Sequence, residues 1–587
     1  MLVFVPIGAL VGLVIELMGG APWFAVFSAA AALALVLGQR LTWALSLALT
    51  TAAMLCAYAV LLRASYLIPV SLEHQLSLML LIIAAVAWAI VWRSRTPLKL
   101  PPWRAAVWLL PVVALVLTMV VAVSTTAGTR VSWAMHSDAV WNIMTARVVL
   151  GDHGLNPDYA SAAPLTPSLI AAAMAAGRSS LDFSGLLQHD VTRAAELWLL
   201  LMLASCVLAG VIASSALVRL GPLSRGLCTL FVAAIPLTWF VAGNSVQFGF
   251  YNATIALVLL LCAWIAWMAG SASRLASLVT LVLSGVATLA TWAPLAVVPL
   301  SLAVFVALGS GLQWFSGRRL LVVAVSVMGV ASYALAVTLP DLLRDGGSLA
   351  ADGGIFRLPP SHVALIVVAA VAATVLVGGL LRRWGALGGV VIVSASGGLV
   401  LGYLLVQRIG VANMWGYYPT KFGWLVCVLL IVIGATSLFA VLEKVRAKAL
   451  VIALVVGTTV ATVGLMAYPR PTNEALISAW PTLLPALGGD PEVLAQLFAL
   501  SDPHQKHLVS SSADDRFIND WLLQQQATGP NDAIRAFAYT LVATDASQLC
   551  AVADVWGPGV IVHTPDAGLD ARLQAACPAA GITAVAE

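Results

Sequence analysis

Charge is what this chain has least of. Only 9% of its 587 residues are charged, against about 25% in a soluble protein, which excludes a water-soluble globule. Cys-x-x-Cys pairs and His-rich metal spacings are missing, so no structural metal site is signalled. The first residues, Met1 to Pro6, carry no basic stretch, and more apolar segments follow at once. They read as the start of a membrane span rather than a cleavable leader. Internal repeats and low-complexity stretches are absent as well.

What is present is apolar. Hydrophobic residues make up 61% of the chain. Runs of roughly 20 recur over the first 470 positions, each long enough for a hydrocarbon core of about 30 Å. They do not alternate, which excludes a β-barrel. The fold class is therefore a polytopic α-helical membrane protein with about fifteen spans. These are predicted near 2–18, 22–38, 43–62, 75–92, 105–124, 195–218, 223–242, 252–270, 275–291, 293–311, 320–339, 361–381, 386–406, 422–442 and 449–468. Only Trp292-Ala293-Pro294 separates the ninth run from the tenth.

Basic residues orient the spans. With the N-terminus cytoplasmic, the inner loops hold Arg40, Arg93, Arg95, Lys99, Arg104, Arg219, Arg225, Arg274, Arg318, Arg319, Arg382, Arg383, Lys444, Arg446 and Lys448. Glu443 is their only acid. The alternate loops hold most acids, including Glu73, Asp138, Asp152, Asp190 and Asp341. This predicts a multi-pass protein of the cell membrane with its C-terminal tail outside. The net charge of +4 reflects orientation, so no nucleic-acid partner is implied.

Three regions follow. Residues 1–104 are N-terminal transmembrane helices, 105–470 a transmembrane core with a long outside loop at 125–194, and 471–587 a small extracytoplasmic α/β domain. In the tail, 539–543, 560–563 and 582–585 read as strands, and 546–556 and 566–577 as helices. No Gly-x-Gly-x-x-Gly or P-loop pattern accompanies them. Cys56, Cys206, Cys228, Cys262 and Cys427 fall within spans and read as small core residues. Cys550 and Cys577 lie in the tail, where an oxidising compartment permits a disulfide between them.

Polar residues in so apolar a chain need a reason. Trp133-Ala-Met-His136-Ser-Asp138-Ala-Val-Trp141-Asn142 follows a span directly. Ser137 can cap a helix over 138–150. Asp138, Asn142 and Thr145 would share one face, with Val140, Met144 and Val148 on another, as in a helix lying on the membrane surface. Asp138 could be a general base or a helix-start carboxylate satisfying N–H groups. His136 could orient an acceptor or a phosphate, or simply be solvated. The apolar run 165–176 is too short to cross and is re-entrant or docked on the bundle. Asp152, His153 and Asp158 read as a polar turn, with a metal site as the alternative. His189, Asp190 and Arg193 read as helix-capping polarity, with contact to an acceptor as the alternative.

A second loop, 407–424, holds Arg408, Asn413, Trp415, Tyr417, Tyr418, Lys421 and Trp424. An arginine, a lysine, an asparagine and two tyrosines could bind a phosphate headgroup. The competing reading is snorkelling cations beside an aromatic belt. The loop Asn244 to Asn252 could contact sugar through amides and aromatic faces. The glycine-rich loop with Arg344, Asp345, Asp352 and Arg357 could be a mobile cover. For both loops the competing reading is an ordinary wet loop.

The chain resembles the GT-C superfamily of lipid-phosphate-sugar-dependent glycosyltransferases, particularly actinobacterial cell-envelope enzymes. His136-Ser137-Asp138 and Tyr417 to Lys421 carry the resemblance, which spans about 105–470. It implies a polyprenyl-phosphate sugar donor entering from the outer leaflet and a glycan or glycolipid acceptor in the surrounding membrane lipids. It further implies phosphate near Arg408 and Lys421, and transfer with inversion by Asp138 as base. The substrate-binding residues would be His136, Asn142, Arg408, Asn413, Tyr417, Tyr418 and Lys421. The family's usual Asp-Asp or Glu-x-Asp pair is absent, which leaves Asp138 as a single base; a divalent metal stays possible but is not indicated, and no other cofactor is implied. The four spans before 105 are additional to the family pattern. A lipid-linked oligosaccharide polymerase or ligase is the alternative enzyme, and a lipid-linked glycan transporter or flippase the alternative outside enzymes. A transporter should carry charge mid-membrane, and here polar groups crowd the rim.

Overall fold

The computed structural model describes residues 23–94, 109–124, 131–156, 163–181, 183–309, 316–344, 349, 353–355, 358–444, 491–502, 504–511, 515–525, 533–538 and 540–586, with scattered positions before 23. The expected spans at 2–18 and 449–468 fall largely or wholly outside these residues.

The bundle opens with α1 (Trp23–Gly38), α2 (Trp43–Ser65), α3 (Leu72–Ser94) and α4 (Leu110–Ser124). Two short helices follow, α5 (Asp138–Gly151) and α6 (Leu165–Ala175), and then the long α7 (Phe183–Ala216). Next come α8 (Pro222–Ala234), α9 (Tyr251–Ala269), α10 (Arg274–Trp292), α11 (Val297–Leu308) and α12 (Gly317–Tyr333). The bundle ends with α13 (Pro360–Leu381), α14 (Gly385–Val406) and α15 (Tyr417–Val441). Ten stretches of described residues are long and apolar enough to cross a membrane. The protein is a multi-pass helical membrane protein.

One of those stretches, Arg274–Leu308, is two helices rather than one. Trp292 leaves α10 in an extended conformation before a 3₁₀ turn at Ala293–Ala296. Beyond the turn, Leu300 packs against Gly285, where an added Cβ would lie 2.5 Å from its Cδ2. In a straight helix these residues would be about 22 Å apart. The pair is a hairpin, and Gly285 lets its arms close. This agrees with the two runs expected at 275–291 and 293–311.

Helix α7 has 34 residues, about 51 Å of helix, so its first turns project beyond a core of about 30 Å. Against this projecting part sit α5 and α6. Almost every residue of α6 is buried, so the short run expected at 165–176 docks on the bundle. Val140 and Met144 of α5 are buried against protein, which corrects the expectation of a helix lying on the membrane surface.

The same end of the bundle carries the tail: α16 (Pro491–Leu500), β1 (Lys506–Val509), α17 (Asp515–Gln525), α18 (Ile534–Ala538), α19 (Ala546–Trp556), β2 (Val560–Thr564), α20 (Leu569–Ala576) and β3 (Ile582–Ala586). The strands run parallel in the order β1-β2-β3, with Lys506 opposite Val560 and Val560 opposite Ile582. Of the strand expected at 539–543, the described residues 540–543 form none. Residues 540–543 make a turn after α18, and the first strand is Lys506–Val509. Cys550 and Cys577 form a disulfide, with 5.9 Å between their Cα atoms, and the five cysteines within the bundle are free and buried. One sheet face packs Leu508, Val560, Val562 and Ile582 on the helices of the tail. Helices α16 and α17 instead bury Leu497, Ile518 and Trp521 in the core that contains Trp133, Ile143 and Trp198. Tail and bundle are one packed body at this point.

Candidate functional site

Asp138 opens α5 in an unusual way. Ser137 occupies the N-cap position, as expected, but its φ of 52° lies in the left-handed region and its side chain makes no capping bond. The Asp138 N–H donates instead to the Phe248 carbonyl at 3.3 Å, so another loop satisfies a free donor of the helix start. That loop comes close because of Gly249, at φ 68°. An added Cβ there would lie 2.2 Å from Ala139 N and 2.3 Å from the His136 carbonyl oxygen.

The Asp138 carboxylate faces away from its own helix. Its Oδ2 accepts from the Tyr417 hydroxyl at 3.1 Å, and that hydroxyl accepts from Lys421 Nζ at 2.9 Å. Tyr417 and Lys421 lie one turn apart at the start of α15, so one helix face presents both. Lys421 is buried, with its ammonium 3.6 Å from the centroid of the Phe250 ring, a cation–π contact that offsets part of the lost hydration. The two loops singled out in the sequence therefore meet. Burial pushes the Asp138 carboxyl above its ordinary range, while the Lys421 charge and the Tyr417 hydrogen bond pull it down.

The other sequence candidates surround this triad unevenly. The Asn142 side-chain amide donates to the Asp138 backbone carbonyl at 2.8 Å. His136 is partly buried, 5.6 Å from the Phe517 ring, and burial lowers its pKa. Tyr418 lies edge-on to Tyr417, with ring centroids 4.8 Å apart, and stacks towards Trp292 at the tip of the α10–α11 hairpin. Arg408 is buried, and its Nε and Nη2 donate to the Asn413 carbonyl at 3.2 and 2.9 Å. It shapes the turn before α15. Asn413 contributes that carbonyl, and the residue is exposed.

The described part of the glycine-rich loop lies over the triad. A Cβ on Gly353 would meet the Tyr417 ring at 2.9 Å, and one on Gly354 the Phe248 ring at 3.1 Å. Trp415 Nε1 donates to the Leu358 carbonyl at 2.6 Å. Asp345, Asp352 and Arg357 lie outside the described residues, as does Asp158. Among the described residues no group of three or more His, Cys, Asp or Glu could hold a metal ion.

Sequence reasoning missed three contributions. The first is Gly249 with Phe250, which set the backbone under Asp138 and the ring under Lys421. The second comes from the tail. Trp521 Nε1 donates to the Met135 carbonyl at 3.1 Å, and the Arg535 guanidinium sits 3.5 Å from the Trp141 ring centroid. Phe517, Asp520, Trp521 and Gln524 share one face of α17. Burial pushes the Asp520 carboxyl up to about 6, against the Gln524 hydrogen bond and the Arg516 and Arg535 charges. The third corrects the reading of 189–193 as simple polarity at a helix start. Asp190 is fully buried and accepts from Arg147 Nε at 2.7 Å and Arg178 Nε at 3.0 Å. It ties α5 and the end of α6 to α7. No sequence pattern announces such a triad, because its members come from three elements.

Compared with protein-family models, curated proteins and solved structures, the chain matches none. The site must be read from its own geometry.

Proposed function

We propose that this protein is a membrane glycosyltransferase of the GT-C type. It moves a sugar from a polyprenyl-phosphate donor to a cell-envelope glycan or a lipid-linked acceptor, with inversion, on the outer face of the cell membrane. One observation carries the reading: a partly buried carboxylate is hydrogen-bonded to a tyrosine that also receives a buried lysine. A base and a cation are thus held together at the rim of an apolar bundle, where a lipid-borne donor would arrive.

The chemistry follows from the donors. Oδ2 of Asp138 is occupied by Tyr417, which leaves Oδ1 to accept a proton from an acceptor hydroxyl. The acceptor oxygen attacks the anomeric carbon from the face opposite the phosphate. The new C–O bond forms as the bond to phosphate oxygen breaks, and the electron pair leaves with polyprenyl phosphate. Lys421 is the cation for the departing phosphate, and Tyr417 and Phe250 hold it in place before the reaction starts. Tyr417 and Lys421 also favour the ionised form of Asp138 against the cost of burial. Arg408 supports this reading indirectly, by fixing the turn that delivers Tyr417. The test is transfer from labelled polyprenyl-phosphate sugars in membranes carrying the protein. Wild-type protein should transfer and Asp138→Asn should not; equal transfer by both would refute the assignment.

A further inference from the structure

We infer that Asn244, with Gln247 beside it, forms the subsite that recognises the hydroxyl groups of the transferred sugar. This rests on the proposed glycosyl transfer and adds the part of the donor that is read. Asn244 is fully buried, and neither its Oδ1 nor its Nδ2 has a hydrogen-bond partner. The Oε1 of Gln247 is likewise buried and unpartnered. Buried amides in folded proteins are almost always paired.

Position links these amides to the chemistry. Asn244 and Gln247 form a single helical turn, and the Phe248 N–H donates to the Asn244 carbonyl. Phe248 therefore sits over Asn244, one turn on. Its own carbonyl receives the Asp138 N–H, and its ring lies against Gly354 of the covering segment. Two residues further, Phe250 holds Lys421. One short stretch thus carries the unpartnered amides, the support of the base and the support of the cation.

The unfilled valences select the ligand. Two acceptors, Asn244 Oδ1 and Gln247 Oε1, need donors, and one donor, Asn244 Nδ2, needs an acceptor. Phosphate only accepts and would leave both carbonyl oxygens bare. Sugar hydroxyls do both. A pair of neighbouring hydroxyls would complement the Asn244 amide, with a third reaching Gln247. A site built to bond hydroxyls also rejects analogues that lack them.

The test is equilibrium binding to purified full-length protein in nanodiscs, using a synthetic polyprenyl-phosphate hexose, the corresponding pentose, and sugar-free polyprenyl phosphate. Asn244→Leu should weaken binding of the preferred sugar lipid about tenfold or more and leave sugar-free polyprenyl phosphate unaffected. Without ligand it should unfold at or above the wild-type temperature, because an unpartnered amide has been removed. Asn244→Asp, which keeps the shape and the acceptor but loses the donor, should also bind the sugar lipid more weakly. Wild-type affinity for the sugar lipid in both variants would overturn the subsite. So would an equal loss for all three lipids, or a lowered unfolding temperature in both variants, since the amide would then be structural. Failure of wild-type protein to bind any of the three lipids would instead overturn the glycosyltransferase reading, and the subsite with it.

Discussion

The Tyr417 hydroxyl donates to Asp138 Oδ2 at 3.1 Å although 279 positions separate the two residues. The bond joins the start of α5 to the start of α15, and the behaviour of the site depends on it.

Asp138→Asn keeps the shape and the Tyr417 contact but cannot accept the acceptor proton. Transfer should fall by roughly 10²–10⁴-fold, with an unchanged elution profile and unfolding temperature. Near-wild-type turnover would remove Asp138 from the role of base.

Tyr417→Phe deletes the hydrogen bond that pulls the Asp138 pKa down and leaves burial in place. The proposed role of Asp138 as base requires it ionised, so in wild-type protein activity should drop as pH falls through a value above the ordinary 3.8. In the variant that acidic limb should move to higher pH. A pH profile of kcat/KM reads it directly, and an unmoved limb would separate Tyr417 from the titration.

Gly249→Ala tests the close approach under Asp138. A methyl group 2.2 Å from Ala139 N, at a backbone conformation that disfavours alanine, must push the two loops apart. Activity should fall at least about 100-fold, since misplacement by about 1 Å is that costly. Gly398→Ala is the control, because an added Cβ there meets no atom within 4 Å.

Asp520→Asn tests the tail interface. The carboxyl titrates near 6 in the folded protein, above about 3.9 when unfolded. The folded state therefore binds the extra proton, and ionisation above pH 6 costs stability. The variant should melt a few degrees higher than wild type at pH 7.5, and the difference should fade as pH falls towards 4. Thermal unfolding across that range checks both the sign and the window.

Arg63 of α2 is hydrogen-bonded to Asp341, which continues α12 beyond a π turn at Ala334–Thr338. Asp341 is nearly buried. Removing one partner of such a pair typically costs about 3–5 kcal/mol, and removing both much less. Arg63→Met should therefore lower the unfolding temperature more than the double variant with Asp341→Leu. Equal effects would show that the pair contributes little to holding α12.

The bundle was legible because its spans are long, apolar and bounded by cations. Helix α5 was legible because Asp138 starts it and Gly151 ends it. Its cap was not, since the bond that replaces the Ser137 cap comes from Phe248, more than a hundred positions on. Strand β1 was missed because Lys506-His-Leu-Val509 is short and half polar, while the β-rich letters of 539–543 stand in a turn. Patterns of charge placed Asp138 and Lys421 on one expected side of the membrane. Their meeting through Tyr417 depends on packing among elements far apart in the chain, which no local spacing encodes.

The Trp521–Met135 bond spans 386 positions, and this fixes an order of events. The strand of chain leading into Asp138 emerges well before the indole that pins it, which follows 386 residues later. Until the tail reaches the same side of the membrane and folds down, His136 lacks its Phe517 neighbour and the segment leading into Asp138 is not pinned. A chain made only as far as the bundle would therefore hold Asp138, Tyr417 and Lys421 without the bond that pins the approach to Asp138, and the site would be complete only after Trp521 is made and docked.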